Sequence, residues 1–146
     1  MRHLHLEKKG IRGLAIAESF SQDSKKSVLS GIVMSTDLVI DGFVMGHSTV
    51  GGDDATDAIL EMYKKLARPD VSFLLISGIV ISLYNIIDLK RISEETGLPV
   101  IGVTYEESDG IEDAIKHHFP DSYESKLAEY SNLGSREKIS LHTSHD

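Results

Sequence analysis

The spacing of apolar residues first changes period at Gly51-Gly52, and that change limits the folds open to the chain. Before it, apolar runs of strand length dominate. "IRGLAIAES" reads as a buried strand over about residues 11–17, and polar "SFSQDSKKS" (19–27) as a loop. "SVLSGIVMS" (27–35) reads as a second strand. Thr36-Asp37 is a short connection of hairpin type, and "LVIDGFVMGHSTV" (38–50) is a third strand. Asp41-Gly42 in its middle is read as a bulge rather than a second tight turn, because the runs on either side are short.

Beyond the glycines, Ala55, Ile59, Met62, Tyr63 and Leu66 share one face of a helix over residues 54–67, which Pro69-Asp70 ends. "VSFLLIS" (71–77) is apolar on both faces and reads as a central strand. "GIVISLYN" (78–85) is an apolar connection of unassigned form. A helix over 86–96 stops at Gly97, which suits the left-handed C′ position, with Pro99 just beyond. "PVIGVTY" (99–105) is a further buried strand. "IEDAIKHHF" (111–119) and "DSYESKLAEYSNLG" (121–134) read as helices, and "KISLHTS" (138–144) as a last edge strand or a tail.

The order is therefore β-β-β-α-β-α-β-α-α. Three closely joined strands form an antiparallel meander, and the later β-α-β units require right-handed parallel crossovers. A mixed five-stranded α/β sheet with helices on both faces meets these conditions within a single domain, residues 1–146. Placing strand 1 beside strand 4 brings their C-terminal ends together, where open α/β sheets hold their sites. The residues there are Ala17, Glu18 and Ser19 on one side and Ser77 and Gly78 on the other.

Composition narrows the function. The 146 residues carry a net charge of −8, against a nucleic-acid binder with an overall basic face. There is no cysteine, hence no disulfide framework, thiolate nucleophile or cysteine metal site, which fits a cytoplasmic protein. The longest apolar stretch, residues 71–84, is short and interrupted, so no membrane span is expected.

Asp53-Asp54 is the most chemical-looking feature. One reading is a metal or catalytic pair. The other is a helix N-cap, with Thr56 or Asp57 in the capping-box position. Glu106, Glu107 and Asp109 form an acidic loop that reads as a helix N-terminus or as ligands beside Glu18. The histidines (3, 5, 47, 117, 118, 142 and 145) form no metalloprotease pattern, and no nucleophile elbow or P-loop is present. Tyr84 reads as a core tyrosine or as a ring that stacks a base, with Asn85 beside it.

"LVIDGFVMGHSTVGGDDATDAI", "LLISGIVISLYNIIDLKRISEETGLPVIGVT" and "IEDAIKHHF" resemble the archaeal endonuclease V-like proteins known as domain of unknown function 99, or uncharacterised protein family 0215. The resemblance covers roughly residues 11–119 and implies a ribonuclease H-like fold. It also exposes departures. Family members usually end strand 1 with Gly-Ile-Asp-Asp-Gly, where this chain has Ala15-Ile16-Ala17-Glu18-Ser19. Gly51-Gly52 stands in place of Asp-Gly, Leu83-Tyr84-Asn85 in place of Gly-Phe-Asn, and Ser77 where endonuclease V has an aspartate. Asp41-Gly42, Asp54-Ala55-Thr56, Asn85 and Asp88 are retained.

Two-metal phosphodiester hydrolysis needs several carboxylates around ions about 4 Å apart. Ala17 offers no ligand and Ser77 only a weak neutral oxygen. The expectation is a non-catalytic binding or interaction module with a vestigial crevice at Glu18, Ser77 and Asp88, and binding groups at Asp53, Asp54, Tyr84 and Asn85. The alternative is a magnesium- or manganese-dependent nuclease, acting on single-stranded or deaminated nucleic acid, with a site rebuilt from Glu18, Asp53 or Asp54, and Asp88. A homodimer is a further expectation, through an edge strand or the apolar connection at 78–84.

Overall fold

The computed structural model of the chain describes residues 8, 10–21, 23–81, 84–104, 115–117, 119–121 and 123–131. The strands are β1 (Arg12–Ser19), β2 (Lys26–Ser35), β3 (Ile40–Thr49), β4 (Val71–Ser77), β5 (Val80–Ile81), β6 (Asn85–Ile86) and β7 (Val100–Val103). The helices are α1 (Ala55–Leu66), α2 (Leu89–Thr96) and α3 (Tyr123–Ser131).

Five strands form one mixed sheet in the order β3-β2-β1-β4-β7. β2 runs antiparallel to β1 and β3, while β4 and β7 run parallel to β1. The C-terminal ends of β1, β3, β4 and β7 therefore share one end of the sheet. The connection of unassigned form is a small antiparallel ribbon, with Val80 opposite Ile86 and Ile81 opposite Asn85.

Strand register sorts the side chains into two faces. Leu14 lies opposite Val33 and beside Leu74, and Ile16 beside Ile76. All five are buried, and they pack with Ala55, Ile59 and Met62 of α1 and Ile92 of α2 in one core. Each such aliphatic side chain contributes roughly 1.5–3 kcal/mol on burial. Tyr63 and Leu66, expected on the same stripe, pack partly buried at its margin. Gly46 permits the close approach of α1, because a Cβ there would stand 2.6 Å from Met62 Cγ. On the opposite face Val28, Phe43, Met45 and Ile101 are exposed.

The bulge is present. Val33 pairs with Gly42 and Met34 with Ile40, so Asp41 is the extra residue. Its carboxylate meets Arg12 Nε at 2.8 Å and Arg68 Nη1 at 3.2 Å, while Arg68 also grips Asp70. Arg68 holds the Asp70 carboxyl down to about 2. The hairpin before it closes through Thr36-Asp37, with the Leu38 N–H donating to the Ser35 carbonyl and Leu38 at φ +65°.

Two helix boundaries differ from the sequence reading. α2 begins at Leu89 rather than 86, because β6 takes Asn85 and Ile86 and Asp88 is the N-cap, accepting the Arg91 N–H at 3.0 Å. α3 begins at Tyr123 rather than 121 and runs to Ser131, and residues 132–134 of the expected helix lie outside the described residues. Gly97 does take the left-handed position, at φ +71°. Of the expected helix at 111–119, residues 115–117 are helical, and the Phe119 N–H donates to the Ile115 carbonyl. Glu106, Glu107, Asp109, His118 and the 138–144 segment lie outside the described residues.

Candidate functional site at the strand ends

β3 leaves the sheet at Thr49, turns through Gly51-Gly52, and enters α1. Asp54 is the N-cap residue by position, but its carboxylate makes no hydrogen bond to the first helical turn. It points back instead, accepting the Thr49 N–H at 2.8 Å and the Thr49 hydroxyl at 2.7 Å. The capping group is Asn85. Its Oδ1 accepts the Ala55 N–H at 3.1 Å, and its Nδ2 donates to Asp54 Oδ1 and to the Thr49 carbonyl, each at 3.0 Å. Asn85 is fully buried. Partial burial works to raise the Asp54 carboxyl, but the bonds from Thr49 and Asn85 outweigh it and hold the group below the ordinary value of 3.8.

The capping box is not formed either. Thr56 uses its hydroxyl to accept the Asp88 N–H at 2.9 Å, and Asp57 pairs with Arg91 at 2.8 Å. Both residues tie α1 to the start of α2. The retained residues Asp54, Ala55, Thr56, Asn85 and Asp88 are thus joined in two short hydrogen-bonded links between α1 and the β6–α2 segment.

Asp53 takes a different partner. Lys126 of α3 is 4% exposed, and its ammonium meets Asp53 Oδ1 at 2.7 Å, the Gly52 carbonyl at 2.8 Å and the Tyr84 carbonyl at 3.0 Å. The ammonium also lies 4.7 Å from the centre of the Phe119 ring, within cation–π range. Phe119 in turn meets the Tyr84 ring edge-on, centroids 6.3 Å apart. Tyr84 is half-buried at φ +65°. Its carbonyl serves the buried ammonium and its ring packs on an aromatic neighbour.

Above this layer lies a cleft of about 220 Å³, bordered by Asp53, Asp88, Lys90, Arg91 and Glu129. Partial burial raises the Glu129 carboxyl above its ordinary value. The Asp53 charge adds to this, Lys126 works against it, and Asp88 adds a little more. Charges of both signs line the cleft. Asp53 and Asp88 bear on Glu129, Arg91 is shared with Asp57 and Glu95, and Asp53 is paired with Lys126.

Five of the seven residues named from sequence (Asp53, Asp54, Tyr84, Asn85 and Asp88) belong to this α1–β6–α2 assembly. Glu18 and Ser77 do not line the cleft. β1 continues to Ser19, so Glu18 is still within the strand. It pairs with Leu29 and points to the helix-covered face, while Ala17 pairs with Ser30 and points to the other. Extending the β1–β4 register places Ala17 beside Ser77. Among the described residues the donor set does not suit a divalent metal. The strand ends offer a methyl and a hydroxyl, and Asp54 and Asp53 are engaged with Thr49, Asn85 and Lys126. Among the described residues no three His, Asp or Glu side chains surround a common point. Lys126 and Phe119 had no signal in the sequence, since a lysine in a helix and a phenylalanine before Pro120 read as ordinary surface and helix-end residues.

The sheet order and the helix entering after β3 define the class, an endonuclease V-like α/β domain with ribonuclease H-like topology. Residues 9–146 match the model of one family, endonuclease dU, and the chain belongs to that family. It is 37% identical over 122 residues to a UPF0215 protein of Pyrobaculum calidifontis, covering 83% of this chain and 66% of that one. It is also 37% identical over 110 residues to one of Thermococcus kodakarensis, covering 73% and 56%. The chain therefore spans roughly three-fifths of the length of these relatives. Among solved structures, a protein of unknown function from Archaeoglobus fulgidus superposes with a TM-score of 0.75 at 26% identity, covering 86% of this chain and 71% of that one. Endonuclease V of Streptomyces avermitilis shares the fold, with a TM-score of 0.51 at 17% identity over 70% of this chain and 52% of that one. Endonuclease V of Ciona intestinalis, solved with a 24mer DNA containing an inosine, does so with a TM-score of 0.50 at 15% identity, over 92% and 61%.

Proposed function

We propose that the chain is a non-catalytic binding module of the endonuclease dU family, which uses the cleft between α1, α2 and α3 and does not cleave phosphodiesters. The observation that carries this reading is the fate of the acids. Asp54 is held by two bonds from Thr49 and one from Asn85, and Asp53 is paired with buried Lys126. Asp54 is spent on holding the polypeptide together, and Asp53, although its side chain is 71% exposed, has one oxygen on the Lys126 ammonium. Ala17 and Ser77 at the adjacent ends of β1 and β4 support it, because neither brings the anionic oxygen that magnesium favours. Lys90 and Arg91 at the cleft mouth are the groups to meet an anionic ligand, and nucleic acid is the class that the endonuclease V neighbours point to.

The test combines metal and substrate. Thermal unfolding is followed with magnesium and with manganese, and cleavage is assayed on single strands containing deoxyuridine or inosine. No shift and no cleavage are expected, with retention of the same strands on the protein without metal. Manganese-dependent cleavage that disappears in Glu18→Ala would replace this reading with that of a nuclease with a rebuilt site. Failure to retain any such strand would remove nucleic acid as the ligand class.

A further inference from the structure

Among the described residues β3 is the outer strand of the sheet, and its outer edge, paired with no described strand, has a defined composition. Thr49 fixes which backbone groups face outward, since its N–H is taken by Asp54 and its carbonyl by Asn85, away from β2. Outward and inward groups alternate along a strand. Phe43, Met45 and His47 therefore turn their N–H and C=O groups to the open edge, while Val44, Gly46 and Ser48 face β2. The same alternation puts the side chains of Phe43, Met45 and His47 on the sheet face away from α1. Phe43 is 76% exposed and Met45 47%.

An exposed edge strand of this kind normally carries a charge or proline that blocks pairing. Here residues 42–49 contain no Asp, Glu, Lys, Arg or Pro, in a chain of net charge −8. Asp41, at one end of the window, is matched by Arg12 and Arg68.

We propose that this edge is a homodimer interface. A second copy of the chain adds its own β3 antiparallel to the first, with Met45 on the two-fold axis, and joins the two sheets into one of ten strands. Pairing about Met45 is self-complementary. Each Phe43 lies opposite the partner's His47, both in hydrogen-bonded positions, and no like charges oppose one another. A second copy fits better than a charged peptide, because the edge has no formal charge to recognise one. The contact uses the free edge of β3 on each copy, so it closes at two. It covers on the order of 1,000 Å² in total, near the low end for specific complexes, so the dimer dissociates on dilution.

The absence of cysteine makes the test direct. Cα atoms of a hydrogen-bonded antiparallel pair stand about 5.5 Å apart, within disulfide range. Oxidised Met45→Cys should run as a covalent dimer, while Ile101→Cys, exposed on the same face but on the far edge strand, should not. Light scattering on the full chain should give twice the 16.1 kDa monomer mass at high concentration. Phe43→Lys should shift the protein to monomer with an unchanged circular dichroism spectrum. A monomer at every concentration with no Met45→Cys cross-link would overturn the proposal. So would cross-linking through Ile101→Cys in preference to Met45→Cys, which would mean face-to-face stacking. Assembly beyond two copies would overturn it as well.

Discussion

Asn85 caps helix α1 from outside the helix. Its Oδ1 accepts the Ala55 N–H at 3.1 Å, thirty positions away in sequence. The residue is wholly buried and its amide satisfies three partners at once, so the helix start, the end of β3 and the β5–β6 ribbon are fixed together.

Removing that amide leaves the buried Ala55 N–H without its partner, while the Thr49 carbonyl keeps the Gly52 N–H at 3.0 Å. Asn85→Ala should lower stability by about 2–3 kcal/mol, read from the midpoint of urea unfolding. Asn85→Asp keeps the shape but sets a second carboxylate oxygen against Asp54. It should cost more than alanine at neutral pH and recover in part in acid.

Lys126 satisfies two backbone carbonyls that loop residues Gly52 and Tyr84 turn inward. Lys126→Met should cost about 1.5–3 kcal/mol, the range for hydrogen bonds to a charged group. Asp53→Asn should cost under about 1 kcal/mol, since the Asp53 side chain is 71% exposed and water replaces the lost partner. A near-equal effect of the two substitutions would mean that the ion pair, and not the carbonyl contacts, is what matters.

The pH dependence follows from Asp54. Its carboxyl is lower in the folded chain than its ordinary 3.8, so between the two values the unfolded chain binds more protons. The contribution is present above about 3.8 and is lost as pH falls through the folded value. Asp54→Asn should flatten the acid limb of a Tm-against-pH curve in that range.

Glu129 has the opposite sign. Its carboxyl is raised in the folded chain, so its ionised form is a burden at neutral pH that protonation relieves. Glu129→Gln should raise Tm slightly at pH 7. The gain should vanish as pH falls below the ordinary 4.5, where both states carry the proton. If a divalent ion bound in the cleft, the same substitution would instead weaken a metal-induced shift.

Gly46 lets α1 lie close to β3. A methyl group there meets Met62 Cγ at 2.6 Å, so Gly46→Ala should destabilise by about 1–3 kcal/mol. Shortening the opposing side chain in Gly46→Ala/Met62→Ala should give a double variant less damaged than the sum of the two singles.

Much of the scaffold was legible because its signals are local. The period change at Gly51-Gly52 located the end of the meander, and the apolar run at 71–77 located a strand with identical bounds. Gly97 marked the stop of α2, and Asp41 the bulge. The start of α2 was misjudged, since Asn85 and Ile86 are as compatible with a helix as with the two-residue strand they form. What chose the strand was the antiparallel partner at Val80 and Ile81.

The candidate site divides differently. By itself the sequence determined the order of the five sheet strands with α1 and α2, the neutral residues at the β1 and β4 ends and the acids around α1, because residue type and periodicity depend only on near neighbours. Only the tertiary structure decided what those acids do. Asp54 has the right type and place for a cap, yet Asn85 performs the capping, and Asp53 is held by a lysine seventy-three residues further along. A hydrogen bond is made with whichever partner the fold brings within 3 Å. That depends on how α3 and the β5–β6 ribbon pack against the strand ends, and no local pattern of residues encodes it.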